Sequence, residues 1–284
     1  MAAKVYAPDV PAALGQPAAE QTPLASWPVT GDLFSIEGKV ALVTGGTRGI
    51  GLMIARGYVE AGARVYISSR KADAGEEVAA ELSRIGTCRS IPANLSTEAE
   101  CQRLAATVGA QEARLDILVN NAGAAWGAPL DEWDDAAWDR VLDLNVKGVF
   151  HLTRYCLPLL QAAGTADEPA RVINIGSIDG LRVPMLETYS YSASKAAVHM
   201  LTRHLARRLA PTVTVNAVAP GPFESKMMAQ TLRDYGDAIV AANPLKRIGR
   251  PDDMAGVAIF LAARASAYMT GVVVPVDGGS TGLN

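Results

Sequence analysis

The chain is poor in the residues that most often announce a specialised chemistry or location. Only three cysteines occur in 284 residues (Cys88, Cys101, Cys156), none of them in a Cys-x-x-Cys pair. The three histidines (His151, His199, His204) form no ligand constellation with them. Metal binding therefore has no support, and the cysteines read as buried free thiols in a reducing compartment, which implies a cytoplasmic protein. No apolar run approaches the roughly 20 residues needed to cross a bilayer, and the longest, 255–263, has core-helix length. The opening residues, Met-Ala-Ala-Lys-Val-Tyr-Ala-Pro-Asp, lack the continuous apolar segment of a secretory signal. A dominant charge is missing too: the net charge of −3 removes the basic face of a nucleic-acid binder.

Regular patterning is absent from residues 1–35, where Pro8, Pro11, Pro17, Pro23 and Pro28 interrupt an alanine-rich stretch. This segment reads as an arm, with Tyr6, Leu24, Trp27, Leu33 and Phe34 as apolar anchors that can lie along the domain or a neighbouring subunit. From residue 36 to 284 the pattern changes. Short β-branched runs at 39–44, 64–69, 89–93, 116–120, 171–176, 212–218 and 272–276 alternate with helical stretches near 50–61, 73–85, 97–110, 135–162, 190–209 and 252–263. Strands apolar on both faces and separated by helices predict one α/β domain, a Rossmann-type doubly wound, seven-stranded parallel sheet with helices on both faces.

The stretch that organises this domain is Val-Ala-Leu-Val-Thr-Gly-Gly-Thr-Arg-Gly-Ile-Gly, residues 40–51. Strand, tight glycine turn and helix follow each other at once, the geometry that sets backbone N–H groups and a helix N-terminus against a pyrophosphate. The Gly-x-x-x-Gly-x-Gly spacing of Gly45, Gly49 and Gly51 could alone be a tight turn, but its setting makes it a nucleotide site. Ligands in such a sheet bind at the carboxyl ends of the strands. The polar strand ends here are 44–45, 68–70, 94–95, 120–123, Ser177 and 220–221.

Tyr191 and Lys195 lie four residues apart, on one helix face. Tyr189, six residues before the lysine, points elsewhere. A tyrosine donates a proton near neutral pH only if its pKa falls from about 10. A cation about 4 Å away contributes roughly 4 kcal/mol at an effective dielectric of about 20, or about three pKa units. Ser177 could donate a second hydrogen bond to a substrate oxygen, and Asn145 is a polar residue inside an apolar helical pattern.

Taken together, Thr-Gly-Gly-Thr-Arg-Gly-Ile-Gly (44–51), Asn-Asn-Ala-Gly (120–123), Asn145, Ser177, Tyr191-x-x-x-Lys195 and Pro220-Gly221 resemble the short-chain dehydrogenase/reductase family, in its order and at its separations. Segments 120–130, 170–177 and 267–279 are most similar to its 3-oxoacyl-reductase branch. The resemblance implies a proton relay: Tyr191 as acid/base, Lys195 lowering its pKa and holding the nicotinamide ribose, Ser177 orienting the carbonyl, and Asn145 positioning a water behind Lys195. It places the cofactor along Gly45, Thr47, Arg48, Gly49, Ile50 and Gly51. Further contacts are implied at Leu95, at Asn121, Ala122 and Gly123, and at Pro220, Gly221, Phe223 and Ser225. One departure concerns Asn94, which stands where the family has an aspartate for the adenine amino group, so weaker adenine contact is expected.

Charge selects NADP(H). Users of NAD place a carboxylate after the second strand, whereas here Ser69 takes that place and Arg70 follows, with Arg48 in reach. Two guanidiniums suit a 2′-phosphate, unless both merely face solvent. By resemblance, the substrate pocket and its lid involve Trp126, Asp179, Met185, Tyr189, Phe223, Met227 and Met228, an apolar set that fits acyl chains or aryl ketones better than sugars. The expected activity is reduction of a small-molecule carbonyl, or the reverse oxidation of an alcohol. A polyol or sugar dehydrogenase of the same fold and a dinucleotide sensor without turnover are the alternatives. A second apolar stripe on the helices near 135–162 and 191–210, with an apolar edge at 272–276, predicts a homo-oligomer, a tetramer by resemblance.

Overall fold

The computed structural model describes residues 33–283. The expected arm lies outside the described residues except for 33–35, where the Phe34 ring sits 6.5 Å from that of Phe260. Seven strands form one parallel sheet: β1 (Val40–Thr44), β2 (Arg64–Ser69), β3 (Thr87–Pro92), β4 (Ile117–Asn120), β5 (Ala170–Ile175), β6 (Val213–Pro220) and β7 (Val273–Val276). Their order in space is β3-β2-β1-β4-β5-β6-β7. The chain therefore winds one way from β1 to β3, returns to lie beside β1, and winds the other way, so the switch point falls between β1 and β4.

Alternation along each strand sends side chains to two separate cores. Ala41, Val43, Val65, Ile67, Ile117 and Val119 face α1 (Gly49–Glu60) and α8 (Pro251–Ala262). Val40, Leu42, Tyr66, Leu118, Val172 and Val215 face α3 (Glu98–Gly109) and α5 (Val149–Ala163). Burial on both faces is why these strands read as continuous apolar runs. Helix α2 (Ala72–Leu82) completes the β2–β3 crossover. Gly57 lets α1 and α8 approach closely, since a Cβ there would lie 2.6 Å from that of Ala255.

Two elements differ from the sequence-based expectation. The helix expected over 135–162 is α4 (Asp135–Leu142), a wide π turn (Asp143–Gly148) and then α5. Gly148, at the end of the π turn, sits against Leu95, where a Cβ would come 2.5 Å from the carbonyl oxygen. Helix α7 (Ala229–Ala242) lies outside the expected helical stretches; none of its residues is fully buried, and Leu232, Ile239 and Val240 make only a half-buried stripe. The long α6 (Tyr189–Leu209) matches expectation within a residue.

A buried polar string crosses the second core and ties two strands to two helices. Asn120 Nδ2 donates to Thr153 Oγ1 (3.0 Å) and to Asn174 Oδ1 (2.9 Å), and Asn174 Nδ2 donates to Thr202 Oγ1 (2.9 Å). Thr153 and Thr202 each donate in turn to the carbonyl four residues earlier, both at 2.8 Å. Every member is paired, so the string costs no orphaned group and fixes the rotation of α5 and α6 against the sheet. Asn174→Ala breaks it in the middle and is expected to cost about 1–3 kcal/mol for each partner left unpaired. Urea unfolding at unchanged m-value measures this, and an unchanged midpoint would show the string to be dispensable.

Candidate active site

At the switch point one hydroxyl joins β1 to β4. Thr44 Oγ1 donates to the Val119 carbonyl (3.2 Å) and accepts from the backbone N–H groups of Asn121 and Ala122 (both 2.9 Å). The Asn121 amide donates back to the Thr44 carbonyl at 2.7 Å. The glycine loop springs from this clasp. Gly45 and Gly49 hold φ of +66° and +53°, conformations in which a Cβ is strained. A Cβ on Gly51 would lie 2.3 Å from the Gly45 carbonyl oxygen. Thr47 and Ile50 are half-buried, and Ile50 packs on the first core. The result is a side-chain-free cradle at the N-terminus of α1, which fits a dinucleotide pyrophosphate.

At the end of β2, Ser69 Oγ donates to the Lys71 carbonyl at 3.0 Å. Arg48 and Arg70 are both exposed, and neither guanidinium has a carboxylate or hydrogen-bond partner among the described residues. Asn94 also stands at the surface; its amide oxygen accepts from Ser96 Oγ at 3.0 Å, which occupies part of the group expected to meet adenine. Leu95 is buried beneath it.

The other side of the switch point carries the titratable groups. Ser177 follows β5 and Tyr191 lies in the first turn of α6, with Lys195 one turn on. Burial pushes the Tyr191 phenol up to about 12, with the nearby Ser177 hydroxyl pulling downward and Asp179 upward. Burial also lowers Lys195, to about 8. The net shift of the tyrosine is upward, not the fall that the sequence spacing suggested. Lys195 Nζ donates to the Ile175 carbonyl (2.8 Å) and sits 5.5 Å from the Tyr191 ring centre, so desolvation outweighs attraction.

The π turn brings Asn145 to this group. Its Oδ1 accepts from Ala124 N (2.8 Å), and its Nδ2 donates to the Ala124 carbonyl and to Ser194 Oγ (both 2.9 Å). Asn145 thus clamps the chain beyond Gly123, whose Cβ position is 3.3 Å from Asn145 Oδ1 and 3.8 Å from Lys195 Nζ. Sequence reasoning missed Ser194, which also donates to the Tyr191 carbonyl at 2.7 Å. A serine between two singled-out helix residues gave no separate signal.

Comparison with known proteins agrees with this arrangement. A family model described as enoyl-(acyl carrier protein) reductase matches residues 45–281. The chain is 50% identical to the rhamnolipids biosynthesis 3-oxoacyl-[acyl-carrier-protein] reductase of Pseudomonas aeruginosa over 249 residues, covering 87% of this chain and 97% of that one. The chain belongs to the short-chain dehydrogenase/reductase family. A solved structure, the Pseudomonas aeruginosa RhlG/NADP active-site complex, superposes with a TM-score of 0.85 at 49% identity, over 88% of this chain and 99% of that one. Galactitol 2-dehydrogenase (L-tagatose-forming) of Cereibacter sphaeroides is 38% identical over 88% of this chain and 97% of its own.

In this short-chain dehydrogenase/reductase the residues expected at the substrate pocket divide into three groups. Trp126, Met185 and Met227 are exposed, and Met228 and Asp179 are half-buried. Tyr189 is exposed and points away from Tyr191: its hydroxyl donates to Glu187 (3.2 Å) and its ring meets the edge of Trp133 at 5.5 Å. Phe223 is buried, with its ring where a Gly249 Cβ would be, so only its backbone faces the cleft. A cavity of about 360 Å³ lies behind it, lined by Phe223, Leu245, Arg247, Ile248 and Val276 rather than by Trp126, Met185 or Met227. Pro220 ends β6, and Gly221 leaves room for Asp277, 2.8 Å from its Cβ position. Ser225 closes the ring: its Cβ is 3.1 Å from the Gly49 Cβ position, so the segment before α7 rests on the glycine loop.

Proposed function

We propose that the protein reduces the ketone of a 3-oxoacyl or similarly apolar substrate with NADPH, through Ser177, Tyr191 and Lys195. The observation that carries this reading is the convergence of Ser177, at the end of β5, on the buried Tyr191 phenol, whose pKa it lowers, with a buried lysine one helical turn away. The glycine cradle holds the pyrophosphate, and Arg48 and Arg70, without a partner among the described residues, receive the 2′-phosphate that Ser69 does not repel. When bound, the nicotinamide supplies the hydride.

Ser177 donates to the carbonyl oxygen and orients it. Tyr191, kept protonated by burial, is then a phenol ready to give its proton as negative charge develops on that oxygen. Lys195, at about 8, stays charged at neutral pH and stabilises the tyrosinate left behind. Asn145 holds the turn beyond Gly123 at the right height. An acyl chain suits the apolar side chains that Trp126, Leu130, Met185, Leu186 and Met227 expose on the segments expected to form the pocket and its lid. That surface favours the acyl reading over a polyol, and the similarity to the 3-oxoacyl reductase supports it.

The reductase is further proposed to be a cytoplasmic homo-oligomer, a tetramer. Burial raises all three thiols and leaves them inert, as a reducing compartment allows. Among the described residues no helix is long and apolar enough to cross a membrane. Phe150 on α5 and Met200 on α6 are exposed, and the edge strand β7 is only partly covered.

Tyr191→Phe is expected to retain NADPH binding and to lower kcat at least about 100-fold; near-parental turnover of a 3-oxoacyl thioester would exclude the relay. Arg70→Ala should weaken NADPH binding by about 1.5–3 kcal/mol and leave NADH nearly unchanged, as fluorescence titration would show. Equal weakening of both cofactors would mean that Arg70 does not read the phosphate. Light scattering at micromolar concentration should give a multiple of the 29.7 kDa chain mass, and a stable monomer would overturn the assembly.

A further inference from the structure

One buried polar side chain beside the relay takes no part in the chemistry described so far. His199 lies one turn beyond Lys195 on α6 and is 4% exposed. Neither ring nitrogen makes a hydrogen bond of ordinary geometry. Two glycines are shaped around the ring: a Cβ on Gly176 would lie 2.2 Å from Nε2, and one on Gly180 2.9 Å from Cε1. These glycines bracket the turn that carries Ser177. The Gly180 N–H donates to the Ser177 carbonyl (3.0 Å), and the Asp179 N–H donates to Ser177 Oγ (3.1 Å).

We propose that His199, as the neutral imidazole, is a positioning residue that supports the 176–180 turn from below and sets the Ser177 hydroxyl against Tyr191. The proposal rests on the Ser177–Tyr191 relay put forward above. Bulk is one part of the role, because the His199 ring is the side chain nearest to both Cβ positions. Neutrality is the other. An aliphatic residue would fill the space without burying two ring nitrogens that have at best a poorly aligned Gly180 backbone partner, so the imidazole marks a demand that simple core packing does not make.

The surroundings define what a proton on this ring would do. Lys195 and Arg203 face it from its own helix, the turn contributes Asp179, and β6, packed under the same helix, brings no ionisable side chain. Burial lowers His199 below its ordinary 6.5, and Lys195 and Arg203 add to the lowering, while the Gly180 backbone favours the charged form. At neutral pH the ring is uncharged and Lys195 is the buried cation of the site. As pH falls below 6.5 the unfolded chain takes up this proton before the folded one does, so the seat under the turn loses stability with acid. Once the folded ring is protonated, a second cation sits beside Lys195 and pushes against the turn.

The test compares kcat against pH, from 5 to 8, for the parent and His199→Gln at saturating NADPH and 3-oxoacyl thioester, with His199→Ala and Tyr191→Phe assayed alongside. The parent should lose rate on an acid limb, and His199→Gln, whose amide does not titrate, should lack that limb. His199→Ala should lower kcat by about 10- to 100-fold, the scale of a small misplacement of a reacting group, with the NADPH dissociation constant within twofold of the parent. Glutamine should recover part of that loss. A parent profile without an acid limb, the same limb in His199→Gln, or parental kcat in His199→Ala overturns the proposal. If His199→Ala fails to fold, the glutamine profile alone decides. Parental turnover in Tyr191→Phe would instead bring down the relay, so the two failures are told apart.

Discussion

The site depends on the hydroxyl of Thr44. Where a doubly wound sheet reverses its direction of winding, two neighbouring strands send their chains away to opposite sides, and a crevice opens between them. Left alone, its walls would end in unpaired backbone groups. One side chain closes that gap here by bonding three backbone groups of β4 and the turn after it. Both halves of the site are then fixed in one frame. The glycine loop leaves from one side of the clasp, and the turn through Gly123 to Asn145 and Lys195 leaves from the other.

Within that frame, burial does more than charge pairing. It raises the tyrosine and lowers the lysine, two shifts that draw the proton-donating groups toward neutrality in opposite senses. The phenol keeps its proton until a substrate oxygen asks for it, and the ammonium is held by a carbonyl rather than a carboxylate. A carboxylate partner would cancel the positive charge that must meet a developing tyrosinate. Neutral surroundings, from Asn145 and Ser194 to His199, keep the lysine's charge uncompensated.

The sheet was legible in the sequence because burial on both faces makes each strand a continuous apolar run, and each boundary fell within a few residues. The glycine loop and the Tyr191–Lys195 pair were legible because their spacing is short and local. What escaped has a physical reason in each case. Helix α7 has a short apolar stripe, Leu232, Ile239 and Val240, interrupted by Gly236 and buried only in part. The π turn at Asn145 ends on a contact between Gly148 and Leu95, residues far apart in the chain. The expected fall in the tyrosine's pKa assumed a distance, and the lysine's actual partner is a strand carbonyl that no helix-face argument reveals. Phe223 looked like a lining residue by type, yet its ring is turned inward against a glycine 26 positions away by number.

The light packing of α7 also bears on how such a chain can change over generations. Substitutions at positions that bury little surface usually shift stability by less than about 0.5 kcal/mol. Residues along Ala229–Ala242 can therefore be exchanged with little harm to folding, whereas the clasp, the cradle and the polar string tolerate almost nothing. The cradle for the dinucleotide sits in the fixed part, so the helix can drift in sequence while the frame that holds the cofactor stays as it is.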